Sequence, residues 1–214
     1  MALKPEHFIS DETLEARASQ LLADYGKNHG LVDRLPIPLE HLLEYHLGLT
    51  IDCDVVEGAG PDIPAALDYW HRTIRLNDRA RPLFDQFPGL EAFSIAHEVA
   101  HWVLHVDQAV LGQPSLLGVD PYPPILCRHR DTNRREIQAE KFAAYLLMPR
   151  DLFFHAIQDT PVTTWSGLYS VARAIGVSIS ALTIRLTELG VVFAGKDGTL
   201  SRFPSGQPSL RHKI

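Results

Sequence analysis

The chain of 214 residues is 45% hydrophobic and 21% charged, which fits one compact soluble domain with a small appendage. Its net charge of −6 argues against a nucleic-acid binder that acts through bulk positive charge. The N-terminus lacks a signal-peptide pattern, no apolar run is long enough to span a bilayer, and two cysteines do not form a disulfide framework, so we expect a cytoplasmic protein with no membrane partner.

Two helices are predicted before residue 50. Ser10 is a suitable N-cap, apolar residues between 14 and 25 recur with helical spacing, and the glycines that follow can end the first helix. Pro38 fits the first turn of the second helix, and Gly48 ends it. We interpret both helices as structural.

Three short segments predict a small antiparallel sheet. Residues 51–55 alternate between apolar and acidic side chains, which predicts a strand with Cys53 in the core as a small hydrophobe. Residues 66–70 and 73–76 are β-prone and predict a hairpin, with His71 as a turn residue. The sheet would therefore have about three strands.

The predicted helix over residues 90–106 contains an H-E-x-x-H motif, His97-Glu98-Val99-Ala100-His101. Histidines four apart lie one turn apart on one helix face, with Cβ atoms roughly 5–6 Å apart, so both imidazoles can bind one zinc ion. Glu98 can then act on the metal-bound water. The surrounding residues are apolar, and polar groups buried there need partners. The motif predicts hydrolysis of an amide by zinc-activated water.

A third protein ligand is needed, and several residues after the motif could supply it. His105 is one turn beyond His101, too far along the helix from His97 to converge on the same ion. The long segment over residues 107–131 predicts a loop that is either functional or disordered. It contains four further candidates, flanked in part by arginines whose charge would oppose a cation: Asp107, Cys127, His129 and Asp131.

The helix predicted over residues 132–148 offers the better candidates. Glu136 and Glu140 are four residues apart and share one face, and alanines at 139, 143 and 144 allow close packing. We favour Glu136 as the third ligand, with Glu140 accepting a hydrogen bond from the free ring nitrogen of a ligating histidine.

The C-terminal part is predicted to be helical and then extended. A short helix covers residues 150–157, helices over 163–175 and 179–189 form a pair similar to a helix-turn-helix, and a hairpin and tail follow. We divide the chain into a metallopeptidase domain (1–160), the helical segment (161–190) and the C-terminal hairpin and tail (191–214).

Two blocks of sequence carry a family resemblance. Residues 93–105 read FSIAHEVAHWVLH, and residues 136–149 read EIQAEKFAAYLLMP. They resemble the patterns F-[ST]-[IL]-A-H-E-[LI]-[GA]-H-x-x-[LI]-H and E-x-x-A-[ND]-x-F-A-A-x-L-L-M-P of the ImmA/IrrE-type zinc metallopeptidases. Weaker similarity extends over residues 11–193. One departure is Glu140, where the family has Asn or Asp.

The resemblance implies an α+β fold: a zincin-like helical metallopeptidase core with a small antiparallel sheet, followed by the helix pair. It implies zinc, or manganese in its place, held by His97, His101 and Glu136, with Glu98 as the catalytic acid and base. Such sites often have a second oxyanion donor, for which Tyr145, His155 and His129 are candidates.

The resemblance also implies regulatory proteolysis, in which the enzyme cleaves a helix-turn-helix repressor and relieves repression of a stress, phage or mobile-element regulon. One alternative is a DNA-binding regulator that uses the helix pair. However, residues 178–189 contain one Arg and one Glu, whereas phosphate contacts need several basic residues, so we do not expect direct nucleic-acid binding. A second alternative binds a partner without cleaving it, which would not require Glu98. No feature of the sequence indicates an oligomeric state.

Overall fold

The computed structural model describes residues 3–56, 60–87, 89–111, 125–126, 133–195 and 198–202. Helices and a small sheet alternate in the first half of the chain, and helices dominate the second. The α-helices are α1 (Asp11–His29), α2 (Leu39–His41), α3 (Arg81–Gln86), α4 (Leu90–Ala100), α5 (Gln108–Leu111), α6 (Arg134–Leu147), α7 (Arg150–Ile157), α8 (Trp165–Ile175) and α9 (Ile179–Glu188). Two π-helical turns, Leu42–Leu47 and His101–His105, continue α2 and α4 directly, and Asp78–Ala80 is a short 3₁₀ helix.

The first helix begins and ends where its sequence predicts. The Ser10 hydroxyl accepts a hydrogen bond from the Thr13 amide at 3.3 Å, and acidic residues in the first turn suit the helix dipole. The helix ends at Gly30, which has a φ of 94°. The second predicted helix also exists and ends at Gly48, although most of it is a π turn instead of an α-helix.

The sheet has four strands in the order β1-β3-β2-β4, where β1 is Thr50–Asp54, β2 is Ala65–Asp68, β3 is Thr73–Asn77 and β4 is Ile125–Leu126. The predicted hairpin is confirmed, because β2 and β3 are antiparallel and His71 lies in the turn between them.

The prediction of a purely antiparallel sheet is wrong, since β1 pairs with β3 in parallel. After β1 the chain skips the position next to β1 and forms β2 one place further along the sheet. It then turns back, and β3 fills the position between β1 and β2. The fourth strand comes from the segment predicted as a loop. The placement of Cys53 in the core is also wrong: β1 is an edge strand, and Cys53 is exposed on it.

One continuous core joins the sheet to the helices. Most buried apolar side chains from Ile9 to Val192 belong to one cluster, which includes the large residues Trp102, Phe142 and Phe153, and Val56, Ile63 and Ala66 form a small second one. Helix α4 packs against β2 and β3 and also against α6, which in turn packs against α1. The motif helix therefore lies in the middle of an α+β fold. The three domain boundaries remain predictions.

Helices α8 and α9 follow α7 and meet at an angle of 105°. Gly176 ends α8 with a φ of 70°, and the Ser178 hydroxyl caps α9 by accepting from the Ala181 amide. No single helix in the described part of the chain is long and apolar enough to cross a membrane; this bent pair meets the length and composition criteria only when its two helices are joined. The predicted hairpin follows as strands β5 (Val192–Ala194) and β6 (Leu200–Arg202), and the tail from residue 203 lies outside the described residues.

Candidate metal centre

Helix α4 and the π turn that continues it carry both motif histidines. His97 and His101 are 2% and 1% exposed, and their ring centroids are 4.8 Å apart. The helix begins after Gly89, whose φ is 87° and whose position leaves no room for a Cβ against the backbone of Val177. This glycine therefore allows the start of α4 to approach the turn between α8 and α9 closely.

Helix α6 brings Glu136 to the two histidines. The Asn133 side chain caps this helix by accepting a hydrogen bond from the Glu136 amide at 3.0 Å, which fixes Glu136 in the first turn. Its Oε2 lies 3.1 Å from His97 Nε2, and its Oε1 lies 3.4 Å from His101 Nε2. The two Nε2 atoms are 3.0 Å apart.

These distances fit a metal ion. Ligand atoms on a tetrahedral ion with bonds of about 2.0–2.1 Å are separated by about 3.3 Å, and the three separations here are 3.0, 3.1 and 3.4 Å. Among the residues that the structure describes, this is the only set of three or more His, Cys, Asp or Glu with all ligand atoms within 4.8 Å of one another. Two imidazoles and one carboxylate are a donor set that suits zinc.

The charges in the cluster favour metal binding. Burial alone would raise the pKa of Glu136, but hydrogen bonds from His101 and His97 outweigh it and lower the pKa to about 2. Burial lowers the pKa of His101, against the opposing effect of Glu136. Near neutral pH the cluster therefore offers a carboxylate and a neutral imidazole, the forms that bind a metal.

Glu98 follows His97 in the same helix and is fully buried. A carboxylate in this position is next to the ligand set in sequence and shielded from bulk water. It is chemically suited to accept and return a proton.

His105 lies one turn beyond His101 and links the histidine-bearing turn to the helix that carries Glu136. Its ring centroid is 5.5 Å from that of His101, and its Nε2 is 3.3 Å from the backbone oxygen of Arg135, the residue before Glu136. Burial lowers the pKa of His105 to about 3, so the ring is neutral and can donate this hydrogen bond. Sequence reasoning considered His105 only as a ligand and missed this contact, for which the H-x-x-x-H-x-x-x-H spacing was the available signal.

The N-terminal segment joins the same two elements. The Lys4 amide donates to the His105 oxygen at 2.8 Å, and the Arg135 guanidinium donates to the Lys4 oxygen at 2.9 Å. Gln138 donates to the backbone oxygen of His7. Hydrogen bonds from the N-terminal segment, which is far away in the sequence, therefore link the π turn of His105 to the start of α6.

The predicted hydrogen bond from a ligating histidine to Glu140 is not formed. The Nδ1 atoms of His97 and His101 are buried, and neither has a hydrogen-bond partner among the described residues. Glu140 lies at the surface of α6, where partial burial raises its pKa. Its side chain is still close enough to interact electrostatically with His97 and Glu136.

Of the three candidate oxyanion donors, the structure describes Tyr145 and His155 and places both away from the cluster. Tyr145 is nine residues from Glu136, about half a turn away around α6, and its ring packs 4.6 Å from the guanidinium carbon of Arg185. His155 is exposed on α7. His129 lies outside the described residues, as do the alternative ligands at 127 and 131.

Comparisons with known proteins agree with the site. A family model for the IrrE N-terminal-like domain of M78 peptidases matches residues 53–187. Among solved structures, a transcriptional regulator from Mycobacterium tuberculosis is similar with a TM-score of 0.52 and 20% identity, over 89% of this chain and 54% of that one. The chain thus spans about half the length of that relative, and at this identity the likeness concerns the fold alone. No functionally curated protein matches the sequence.

Proposed function

The chain belongs to the IrrE N-terminal-like family of M78 peptidases, and from this premise we propose that it is a zinc-dependent endopeptidase of regulatory type. The observation that carries the proposal is the meeting of two imidazole nitrogens and one carboxylate, all within 4.8 Å, beside the fully buried Glu98. His97, His101 and Glu136 would hold the ion, with manganese as an alternative to zinc.

When bound, zinc would lower the pKa of a coordinated water towards ~7 and polarise the scissile carbonyl. Glu98 accepts the proton from the attacking water and passes it to the leaving amine, which breaks the peptide bond. His105 holds the helix of His101 against the backbone beside Glu136, so that the carboxylate keeps its distance from both imidazoles. Burial of the cluster excludes bulk water and strengthens these electrostatic interactions.

The fold supports a zincin-like core as part of the same proposal. Helix α4 carries the motif and packs against β2 and β3 on one side and against α6, which carries the third ligand, on the other. The helix-turn-helix-like reading of α8 and α9 is a further proposal, supported by the short connection and the angle of 105°.

We propose a helix-turn-helix repressor as the substrate, so that cleavage relieves repression of a stress, phage or mobile-element regulon in the cytoplasm. The family resemblance supports this, and the net charge of −6 suits a partner with a basic, DNA-binding face. Direct DNA binding through α9 has little support. Its arginine, Arg185, is 2% exposed and pairs with Glu15 and Glu188 instead of facing solvent.

The experiment that tests the proposal compares Glu98→Gln with the wild type on the purified repressor encoded beside this chain's gene. Loss of the general base should reduce the cleavage rate by about 10²–10⁴-fold while the zinc content, measured by plasma mass spectrometry, stays at the wild-type level. Glu91→Gln, on the same helix but partly exposed, is the matched control and should cleave normally.

Two results would contradict the proposal. Cleavage by Glu98→Gln at the wild-type rate would exclude the mechanism, and an unchanged zinc content in a His97→Ala, His101→Ala double variant would exclude the ligand set. Stable, chelator-insensitive binding of the repressor without cleavage by the wild type would favour the alternative of a partner-binding regulator.

A further inference from the structure

A second cluster of histidines lies away from the metal centre, where α1 ends and α2 begins. The ring centroid of His29 is 5.4 Å from that of His41 and 5.9 Å from that of His46. Two tyrosines complete the cluster: Tyr25 stacks on His29, and Tyr45 stacks on His41 at 4.5 Å. We call these five residues the α1–α2 histidine cluster.

The π turn is what places two of these histidines together. His41 and His46 are five residues apart, and in a regular α-helix they would point about 140° away from each other. In the π turn Leu42–Leu47 the hydrogen bonds run between residues five apart, as from the Gly48 amide to the Leu43 oxygen. The wider π turn reduces this angle, and both imidazoles lie near His29 at the end of α1. Such π turns are rare and occur often at functional sites.

Tyr25 orients one of the imidazoles. Its ring is buried in the core, and its hydroxyl is hydrogen-bonded to His41 Nδ1 at 3.0 Å. When Nδ1 carries the proton and donates to the hydroxyl, Nε2 is left with a lone pair for a ligand. A metal-binding histidine is commonly held in this way through its second nitrogen.

The two ring separations measured from His29, 5.4 and 5.9 Å, are somewhat longer than those of imidazoles bound to one metal ion. Imidazoles on a tetrahedral ion, with metal–nitrogen bonds of about 2.0–2.1 Å, have centroids about 5 Å apart. The known pair in this chain, His97 and His101, is at 4.8 Å. In the α1–α2 histidine cluster the ligand nitrogens do not all lie within 4.8 Å of one another, whereas the ligand atoms of the buried centre are 3.0–3.4 Å apart. His29 is exposed on the last turn of α1, so rotation of its side chain can close the set.

We propose that His29, His41 and His46 form a second metal site, which binds one divalent ion of the zinc, nickel and copper class through three imidazoles and keeps a coordination position open to water. Imidazole nitrogen suits these ions, whereas magnesium and calcium prefer oxygen. The site is independent of the peptidase centre, because none of its ligands lies on α4 or α6.

The test is a calorimetric titration of the full chain, stripped with chelator, with zinc chloride at neutral pH. The wild type should bind two equivalents, and a His29→Gln, His46→Gln variant should bind one. A His97→Gln, His101→Gln variant should also bind one, with the affinity of the second site. His7→Gln replaces an exposed histidine outside both clusters and should still bind two.

A finer variant tests the orientation of His41. Tyr25→Phe keeps the buried ring and removes the hydroxyl, so it should still bind two equivalents, with the affinity of the second site weakened about tenfold. A single equivalent in the wild type that the His29→Gln, His46→Gln variant retains, or two equivalents in that variant, would overturn the proposal. If the His97→Gln, His101→Gln variant does not fold, the wild type can still be compared with the His29→Gln, His46→Gln variant, whose core is intact. That comparison is sufficient to test the proposal.

Discussion

The buried metal centre and the α1–α2 histidine cluster use the same side chain in opposite surroundings. At the centre, His97 and His101 are at most 2% exposed and lie one helical turn apart. In the other cluster, His29 and His41 are exposed and come from two helices. Burial holds the ligand atoms of the first set in place, whereas exposed side chains such as that of His29 have room to change rotamer.

The two regions also differ in how much their unpaired polar atoms lower the free energy of unfolding. A buried polar atom with no hydrogen bond costs about 1–3 kcal/mol, and the Nδ1 atoms of both motif histidines are in that state among the described residues. Exposed imidazoles are solvated and carry no such cost. Metal held by the Nε2 atoms leaves this cost in place, but the ligand atoms of the buried centre are already 3.0–3.4 Å apart, so we expect zinc to stabilise the chain mainly through that centre.

The largest expected effect is stabilisation by zinc. At a zinc concentration a thousandfold above the Kd of the buried centre, binding to the folded state should add about 4 kcal/mol to the free energy of unfolding. For a chain of this size, this corresponds to a rise in Tm of about 8–16 °C. Calorimetry of the full chain in chelator and in zinc measures the shift.

Two variants separate the regions in that measurement. His101→Gln should lose most of the shift, because it removes a ligand of the tighter site, and His29→Gln should keep most of it. Equal losses in the two variants would contradict the assignment of the larger stabilisation to the buried centre.

The two regions could be predicted from the sequence to different extents, because their contacts join residues at different separations along the chain. Helical spacing alone relates His97 to His101, whereas Glu136 reaches them only because α6 packs against α4, which the alanines at 139, 143 and 144 favour. The α1–α2 histidine cluster depends on a π turn and on packing between helices, neither of which residue spacing reveals.

The errors elsewhere have the same origin. The alternating pattern of residues 51–55 predicts a strand, but it does not indicate which strand pairs with it or which of its side chains are buried. In the structure β1 is a parallel edge strand, and Cys53 is exposed on it. Sequence alone does not choose between Tyr145, His155 and His129 as a second oxyanion donor. The face of α6 on which Tyr145 lies turns it towards Arg185.

A second prediction uses pH to sharpen the contrast between buried and exposed histidines. The pKa of His105 is lowered from 6.5 to about 3 by burial, so between these values the unfolded chain binds a proton that the folded chain does not. The free energy of unfolding of the metal-free chain should therefore fall by about 1.4 kcal/mol through His105 for each pH unit below 6.5. Denaturant unfolding at several pH values in chelator measures this slope.

His105→Gln is the matched variant, since its amide can still donate to the Arg135 oxygen but does not titrate. Its slope should be smaller than that of the wild type by one proton. A wild-type slope in His105→Gln would mean that the ring is already charged in the folded chain, which would contradict its burial as a neutral donor.

The smallest expected effect concerns the exposed cluster without metal. His29→Gln should change the free energy of unfolding by less than about 0.5 kcal/mol in chelator, since exposed substitutions rarely do more. Glutamine has a somewhat better helix propensity, and a charged histidine in the last turn of α1 would favour the helix dipole, so the two effects oppose each other. Chemical unfolding of the wild type and of His29→Gln in chelator measures the net difference. A decrease of more than about 2 kcal/mol in the free energy of unfolding would contradict this expectation. It would show that the stacking of His29 on Tyr25 stabilises the fold, although His29 is exposed.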